Sequence, residues 1–123
     1  MRKLMLSLAA AALIAGCAGM ASAPTKTANG MLTGPNGMTL YTFDRDTTGS
    51  GKSVCNGPCA TLWPPLFASG NDKGSGGYMV IARDDGKNQW AYNGKPLYYF
   101  ARDTKAGEVT GDGFNQVWKT ARP

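Results

Sequence analysis

The sequence predicts an all-β, mainly antiparallel fold in which two tandem β-meander repeats pack as one small domain. Three observations predict it: a segment that occurs twice, Asn-Gly turn signals that open both copies, and the aromatic and β-branched residues that follow each turn. Beyond the N-terminal segment, no long stretch has apolar residues recurring with the helical period.

The N-terminal segment has the composition of an export signal. Met1-Arg2-Lys3 supplies positive charge, residues 4–14 are apolar except for one Ser, and Ala15-Gly16 precede Cys17. This pattern is typical of a secretory signal peptide, and it is shorter than the roughly 20 apolar residues that a membrane-spanning helix needs. We expect residues 1–16 of the 123 to be removed, which leaves 107, the length of one domain.

The residues that end this segment resemble a bacterial lipobox. In Leu13-Ile14-Ala15-Gly16-Cys17, aliphatic and small residues precede a cysteine. The resemblance implies diacylglycerol on the Cys17 sulfur, cleavage before Cys17 and acylation of its amine. Ala18 stands where the inner-membrane retention signal usually has Asp, which favours the outer membrane with the domain on its periplasmic face. An ordinary secretory signal with an incidental cysteine is the alternative.

Residues 17–28 are predicted to form a tether between the lipid and the domain. They are rich in Ala and Thr and include Pro24. Eleven flexible residues span about 18 Å on average, so the domain can lie clear of the lipid headgroups. The lipid bilayer, reached through acylated Cys17, is therefore the first expected partner.

A twelve-residue segment occurs twice, at residues 36–47 and 93–104. The offset is 57 residues, and 8 of the 12 aligned positions are identical. Self-similarity at a long fixed offset indicates a supersecondary unit that is used twice. We predict a duplicated β-rich domain over residues 29–123, with repeat 1 at about 29–68 and repeat 2 at about 78–123.

Turn signals place the strands within each half. Both copies open with Asn-Gly, which favours a type I′ turn because its two central residues need positive φ. In the second half, Tyr78–Ala82 and Asn88–Tyr92 are expected to form a three-stranded meander with the strand after Asn93-Gly94. The first half has a weaker approach strand at residues 30–33, and residues 69–77 are expected to be the loop that joins the halves.

The repeated segment resembles the Y-x-[FWY]-x-x-D signature of a family of predicted bacterial lipoproteins, also described as secreted repeats. Its motif positions here are Tyr41, Phe43 and Asp46 in the first copy and Tyr98, Phe100 and Asp103 in the second. Cys55-x-x-x-Cys59, Trp63-Pro64-Pro65-Leu66 and Gly111-x-Gly113 with Trp118 fit the family as well. The resemblance covers nearly the whole mature chain and implies a location and an architecture, but no established activity.

Cys55 and Cys59 would be the only thiols left once Cys17 is acylated, in an oxidising compartment. The turn-forming residues between them let the Cα atoms approach within about 7 Å, as a disulfide requires, and closing so small a loop contributes about 2 kcal/mol. A structural disulfide is the favoured interpretation. A thiol-exchange site and a soft metal site that includes Met31, Met38 or Met79 are the alternatives, although the C-x-x-C spacing of redox exchangers is absent.

The chain contains no His. Nucleophile arrangements of the Ser-His-Asp or Cys-His type cannot be built, and haem attachment through C-x-x-C-H and His-based zinc catalysis are excluded. We predict no catalytic residue, no cofactor and no metal site. Asp46 and Asp103 are expected to accept backbone N–H bonds in the turns after their strands, with Ca²⁺ or substrate binding as the alternative.

The aromatic residues are the last candidate for a binding surface. About half are expected to face the core, and the rest to form an exposed aromatic face that suits sugar rings or a protein partner. Trp63 and Trp118 belong to the repeat pattern, and their role is structural or ligand-binding. Tyr41 and Tyr98 alternate with Leu40 and Leu97, so one of these pairs is expected to face outward on at least one side.

Charge argues against one class of partner. Removing Arg2 and Lys3 reduces the formal charge of +5 by two, and the remaining cations are spread singly among acids. This pattern lacks the basic stripe of a nucleic-acid-binding protein. Two functions remain: a non-enzymatic binding or scaffolding lipoprotein with a protein or polysaccharide ligand, and a redox- or metal-handling lipoprotein that uses Cys55 and Cys59.

Overall fold

The computed structural model describes residues 23–123, so the export signal, Cys17 and the first half of the tether lie outside the described residues. The elements in chain order are β1 (Lys26–Ala28), β2 (Met31–Thr33), β3 (Tyr41–Phe43), α1 (Pro58–Leu62), β4 (Phe67–Ala68), β5 (Tyr78–Ala82), β6 (Asn88–Tyr92), β7 (Lys95–Pro96), a 3₁₀ turn (Phe114–Gln116) and β8 (Trp118–Thr120). The paired strands are antiparallel, which confirms the predicted fold class. No helix within residues 23–123 is long and apolar enough to cross a membrane.

The first hairpin lies earlier in the chain than expected. β1 pairs with β2 around Asn29-Gly30, whose φ angles of 54° and 76° are those of a type I′ turn. The tether expected over residues 17–28 therefore ends before Lys26. The Ala- and Thr-rich composition of this segment concealed a strand that is stabilised mainly by its pairing with β2.

The second half contains the predicted meander. β5 and β6 pair along their full lengths, and Asn93-Gly94, with φ of 49° and 84°, returns the chain to β7. The Asn-Gly of the first copy differs, because only Gly37 has positive φ there. The turn lies one residue earlier, closed by a bond from Gly37 N to Gly34 O at 2.9 Å, since the fixed φ of Pro35 favours the second position of such a turn.

The two repeats exchange their C-terminal segments. β3 of the first repeat pairs with β8 of the second, with Phe43 opposite Trp118. In return, Pro65 of the first repeat bridges to Tyr98 of the second. The halves are therefore intertwined, whereas the sequence suggested two meanders packed against each other.

The two repeats also form equivalent backbone hydrogen bonds at their junction. Tyr41 and Tyr98 bond to each other through their backbones, N to O, at 2.7 and 3.0 Å. Beside them, two triangles of backbone bonds of 2.8 to 3.0 Å correspond, one formed by Leu32, Leu40 and Ala121 and the other by Trp90, Leu97 and Leu66. Tyr41 and Tyr98 thus mark the junction of two equivalent halves.

Both faces of the motif strands are buried. One core cluster contains Leu32, Leu40, Leu66, Trp90, Leu97 and Ala121, and the other contains Tyr41, Cys55, Trp63, Tyr98, Phe100 and Trp118. Leu40, Tyr41, Leu97 and Tyr98 are each 0% exposed. The prediction that one of these pairs faces outward was wrong, because the exchanged segments cover the face that a single meander would leave open.

Candidate functional site

One Phe and one Trp from each repeat build a stack of four rings across the junction. Trp63 and Trp118 lie face to face at its centre, with ring centroids 3.8 Å apart and 2° between their planes. Phe43 stacks on Trp118 and Phe100 stacks on Trp63, each at 4.2 Å. Offset and stacked aromatic pairs add to the stabilisation that burial alone provides. The stack therefore joins the halves, and its tryptophans are withdrawn from solvent.

The motif acids are bound by tyrosines of the opposite repeat. The Tyr41 hydroxyl donates to Asp103 Oδ2 at 2.6 Å, and the Tyr98 hydroxyl donates to Asp46 Oδ2 at 2.5 Å. Sequence reasoning missed this exchange. The only signal for it was that Tyr and Asp occur at the same spacing in both copies, which permits reciprocal pairing once the halves are related by a two-fold arrangement.

The second oxygen of each motif acid shapes a loop. Asp46 Oδ1 accepts the Val54 N–H at 2.7 Å, and Asp103 Oδ1 accepts the Thr110 N–H at 3.0 Å. These are backbone N–H bonds of the kind expected for the acids, although each closes a longer loop than a tight exit turn. Asp46 is 6% exposed and Asp103 is 7% exposed, so the carboxylates are used for architecture.

Burial sets the protonation of these groups. Desolvation raises the pKa of Asp46 above its usual range, although the bonds from Tyr98 and Val54 act in the opposite direction. Desolvation also raises the pKa values of Tyr41 and Tyr98 well above the ordinary phenol value, and their carboxylate partners raise them further. Both phenols are therefore held as protonated hydrogen-bond donors at neutral pH.

Arg83 links the second half to the cysteine loop. Its side chain is 0% exposed, and its guanidinium donates to Asp85 at 3.0 Å, to Ser53 Oγ at 3.1 Å and to Cys55 O at 2.8 Å. Ser53 Oγ in turn bonds to the Tyr98 hydroxyl at 2.6 Å. A buried charge needs such complete hydrogen bonding. No local pattern around Arg83 predicts that this cation is internal.

Cys55 and Cys59 form the disulfide that the sequence favoured, with their Cα atoms 5.2 Å apart. Cys55 is 0% exposed and belongs to the aromatic cluster, whereas Cys59 lies on α1. The bond thereby fixes the loop whose backbone carries the acceptor for Arg83. Among the described residues, no group of three or more His, Cys, Asp or Glu side chains is placed to hold a metal ion.

The expected exposed aromatic face is not formed by the described residues. Phe67, at 48% exposed, is the only aromatic side chain of residues 23–123 among the exposed large hydrophobic residues, and Lys87 lies over its ring. This prediction was wrong because the exchange of segments between the repeats buries aromatic residues on both sides of the motif strands.

A groove opens at the junction of the repeats. This junction groove has a volume of about 490 Å³ and is lined by Thr42, Asp44, Tyr92, Asn93, Lys95, Leu97, Asp112, Lys119, Thr120, Ala121 and Arg122. Lys119 pairs with Asp44 at 3.0 Å, and Asp112 accepts the Thr120 N–H at 3.1 Å. The groove therefore combines hydrogen-bonding groups of both charges with the half-buried ring of Tyr92.

These features define the protein as a small, disulfide-containing all-β protein made of two intertwined repeats. A family described as a secreted repeat of unknown function matches residues 24–67 and 79–122. The chain belongs to this family, which confirms the resemblance, the duplication and a location in the envelope or outside the cell. Comparison with curated proteins and with solved structures gave no significant match.

Proposed function

We propose that this protein is a lipid-anchored, non-enzymatic binding lipoprotein of the bacterial envelope and that the junction groove holds its ligand. One observation carries the proposal: the motif tyrosines and acids are buried and bonded to each other, whereas the junction groove presents unburied polar groups from both repeats. The motif tyrosines and acids, which could otherwise be taken for catalytic groups, thus stabilise the fold. The junction groove is the part of the fold that is open to solvent.

A polysaccharide is the ligand class that fits this groove. Its volume of about 490 Å³ lies within the range of about 300–1,000 Å³ that is usual for ligand sites. The Tyr92 ring offers an apolar surface for one face of a sugar, while Asn93 and Lys95 lie beside it with groups that bond to hydroxyls. Asp44 of the first repeat supplies an acceptor, and Lys119 of the second repeat supplies a further donor.

The anchor follows from the lipobox resemblance at Cys17. β1 begins at Lys26, only nine residues after Cys17, so an acylated Cys17 would hold the domain close to the membrane. We expect Cys17→Ser to abolish acylation, because the thiol is the acyl acceptor. The variant should remain in the aqueous phase or stay unprocessed in a detergent partition assay. Partition of the variant into detergent like the parent would refute the anchor.

Binding is tested on the mature chain carrying Cys17→Ser, with neutral N-acetylglucosamine oligosaccharides and an acidic oligosaccharide as probes. Lys95→Ala should weaken binding about tenfold, since a charged hydrogen bond is lost. Lys73→Ala, in the joining loop outside the groove, is the matched control and should leave the dissociation constant unchanged. Absence of binding by both probes, or equal effects of the two variants, would contradict a polysaccharide site at this groove.

A further inference from the structure

A second groove, separate from the junction groove, lies on the β1–β2 hairpin. This hairpin groove has a volume of about 380 Å³, and its lining includes Lys26, Ala28, Met31, Thr33, Thr39 and Ala106. It shares no residue with the junction groove. Strands of the first repeat form its floor, and the loop at residues 106–107 of the second repeat contributes to its wall.

Thr39 is the unusual residue of this groove. It is 1% exposed, and its Oγ1 is the one buried side-chain oxygen or nitrogen of residues 23–123 without a hydrogen-bond partner. Buried polar side chains in native structures nearly always have a partner, and each exception requires an explanation. Thr39 lines the hairpin groove, and a ligand oxygen that reaches its hydroxyl from there would supply the missing bond.

The second repeat provides an internal comparison. The position that aligns with Thr39 is Pro96, which has neither a hydroxyl nor an N–H group. There, the loop of the other repeat closes directly onto the turn, because Gly49 N donates to Gly94 O at 2.9 Å. Within the described residues, no such bond joins Gly37 to residues 106–107. The Thr39 hydroxyl and the hairpin groove therefore occur together in the first repeat, where no bond equivalent to that between Gly49 and Gly94 closes the turn.

The register of the strands places the polar and the apolar residues of the groove floor in separate rows. Lys26 lies opposite Thr33, and Thr33 bridges to Thr39, so these three residues form one row across neighbouring strands. Ala28 lies opposite Met31 two residues further along, and residues at this spacing share a face. A polar row with one cation thus adjoins an apolar row on the same surface.

We propose that the hairpin groove binds a medium-chain aliphatic carboxylate. The carboxylate lies over the polar row, where the Lys26 ammonium offsets its charge and the Thr39 hydroxyl donates to one oxygen. The aliphatic chain runs over Ala28 and Met31 and under Ala106. Lys26 is the only charged residue in the lining and no acid faces it, so charge complementarity favours an anionic head group over a cationic one.

The test uses hexanoate, octanoate and decanoate with the mature chain carrying Cys17→Ser, followed by calorimetry and by backbone amide chemical shifts. Affinity should rise up to about fourfold for each added CH₂ until the groove is filled. The largest shift changes should occur at Ala28, Met31 and Thr39. Decanol has the aliphatic chain without the charge. It should bind to the parent more weakly than decanoate does, and its affinity should be the same for the parent and for Lys26→Gln.

Two variants separate a ligand site from a tolerated imperfection of packing. Thr39→Val removes the hydroxyl at nearly constant shape and should lower decanoate affinity about fivefold, without lowering the melting temperature of the free protein. Ala106→Leu, at an exposed loop position, should fill the groove and abolish binding while the fold is retained. Lys73→Gln is the control for Lys26→Gln.

Each remaining outcome overturns the proposal. If decanoate does not bind, the proposed ligand is refuted. This holds whether the groove stays empty, is covered by the N-terminal tether or is closed by a second copy of the chain. Binding that Thr39→Val and Ala106→Leu leave unchanged places the carboxylate elsewhere. The polysaccharide assay at the junction groove is independent, so either proposal can fail alone.

Discussion

The Tyr41 hydroxyl donates to Asp103 Oδ2 at 2.6 Å, so a residue of the first repeat completes the motif of the second. Tyr98 does the same for Asp46. Neither motif is satisfied within its own repeat, and the segments after the motifs are exchanged as well. The repeated signature therefore specifies the interface between the halves, and each half requires the other in order to bury it.

Removing a motif acid should destabilise the fold. Asp46→Ala and Asp103→Ala each leave a buried donor without its acceptor, which should lower the free energy of unfolding by about 1–3 kcal/mol. Asp46→Asn and Asp103→Asn each keep one acceptor oxygen, so they should lower the free energy of unfolding by less. Urea denaturation measures both. A Ca²⁺-induced rise in melting temperature that the Ala and Asn variants lose would instead indicate a metal site.

The exchange of partners can be measured by double-mutant cycles. Tyr41→Phe and Asp103→Ala should show a coupling energy of about 0.5–3 kcal/mol, because the two side chains are in contact. The matched control cycle combines Tyr41→Phe with Asp46→Ala, which belong to the same repeat but do not bond to each other. Coupling in the control cycle equal to that in the first would contradict the crossed pairing.

The tryptophan stack should contribute more than any exposed aromatic residue. Trp63→Ala and Trp118→Ala each remove a buried ring from the centre of the stack and should cost about 3–5 kcal/mol. Phe67→Ala, at a half-exposed ring, should change stability by less than about 1 kcal/mol. Near-ultraviolet circular dichroism should lose the coupled signal of the two stacked indoles in either tryptophan variant. Survival of that signal in both would rule out the stack.

Local signals in the sequence predicted much of the fold. Asn93-Gly94 predicted the turn between β6 and β7, and the repeated motif predicted the duplication, because turn chemistry and self-similarity depend on neighbouring residues. The pairing of Phe43 with Trp118 could not be predicted in this way. It depends on which distant segments gain most by packing together, and a meander of sequential strands satisfies the same local preferences.

The candidate site was predicted in part for the same reason. The disulfide followed from two cysteines separated by a turn, and backbone bonds to Asp46 and Asp103 followed from their position after strands. The buried guanidinium of Arg83 could not be identified, since three of its acceptors lie 27 to 30 residues away in the cysteine loop. The grooves likewise join residues of both repeats.

The disulfide should be structural and slow to react. Cys55 lies within the aromatic cluster, so a mild reductant should reach it only when the fold opens. Replacing both Cys55 and Cys59 with Ala should lower the free energy of unfolding by about 2 kcal/mol and loosen the loop that bonds to Arg83. Thiol titration of the native protein should detect no free thiol, and titration in urea after reduction is the control. Rapid reduction of the native protein, or copper bound to the reduced pair, would favour the redox or metal alternative.

Asp46 should make the stability depend on pH in a definite direction. Desolvation raises its pKa in the folded state above the unfolded value, which is about 3.9. An acid with a raised folded pKa binds its proton more tightly when folded, so its contribution is complete below the unfolded pKa and is lost as the pH rises through the folded pKa. Asp46→Asn removes this titration. The free energy of unfolding of the parent minus that of the variant should therefore decrease as the pH rises from about 3 to about 7, measured by urea denaturation at each pH. Parallel pH profiles for the two proteins would show that Asp46 has no raised pKa.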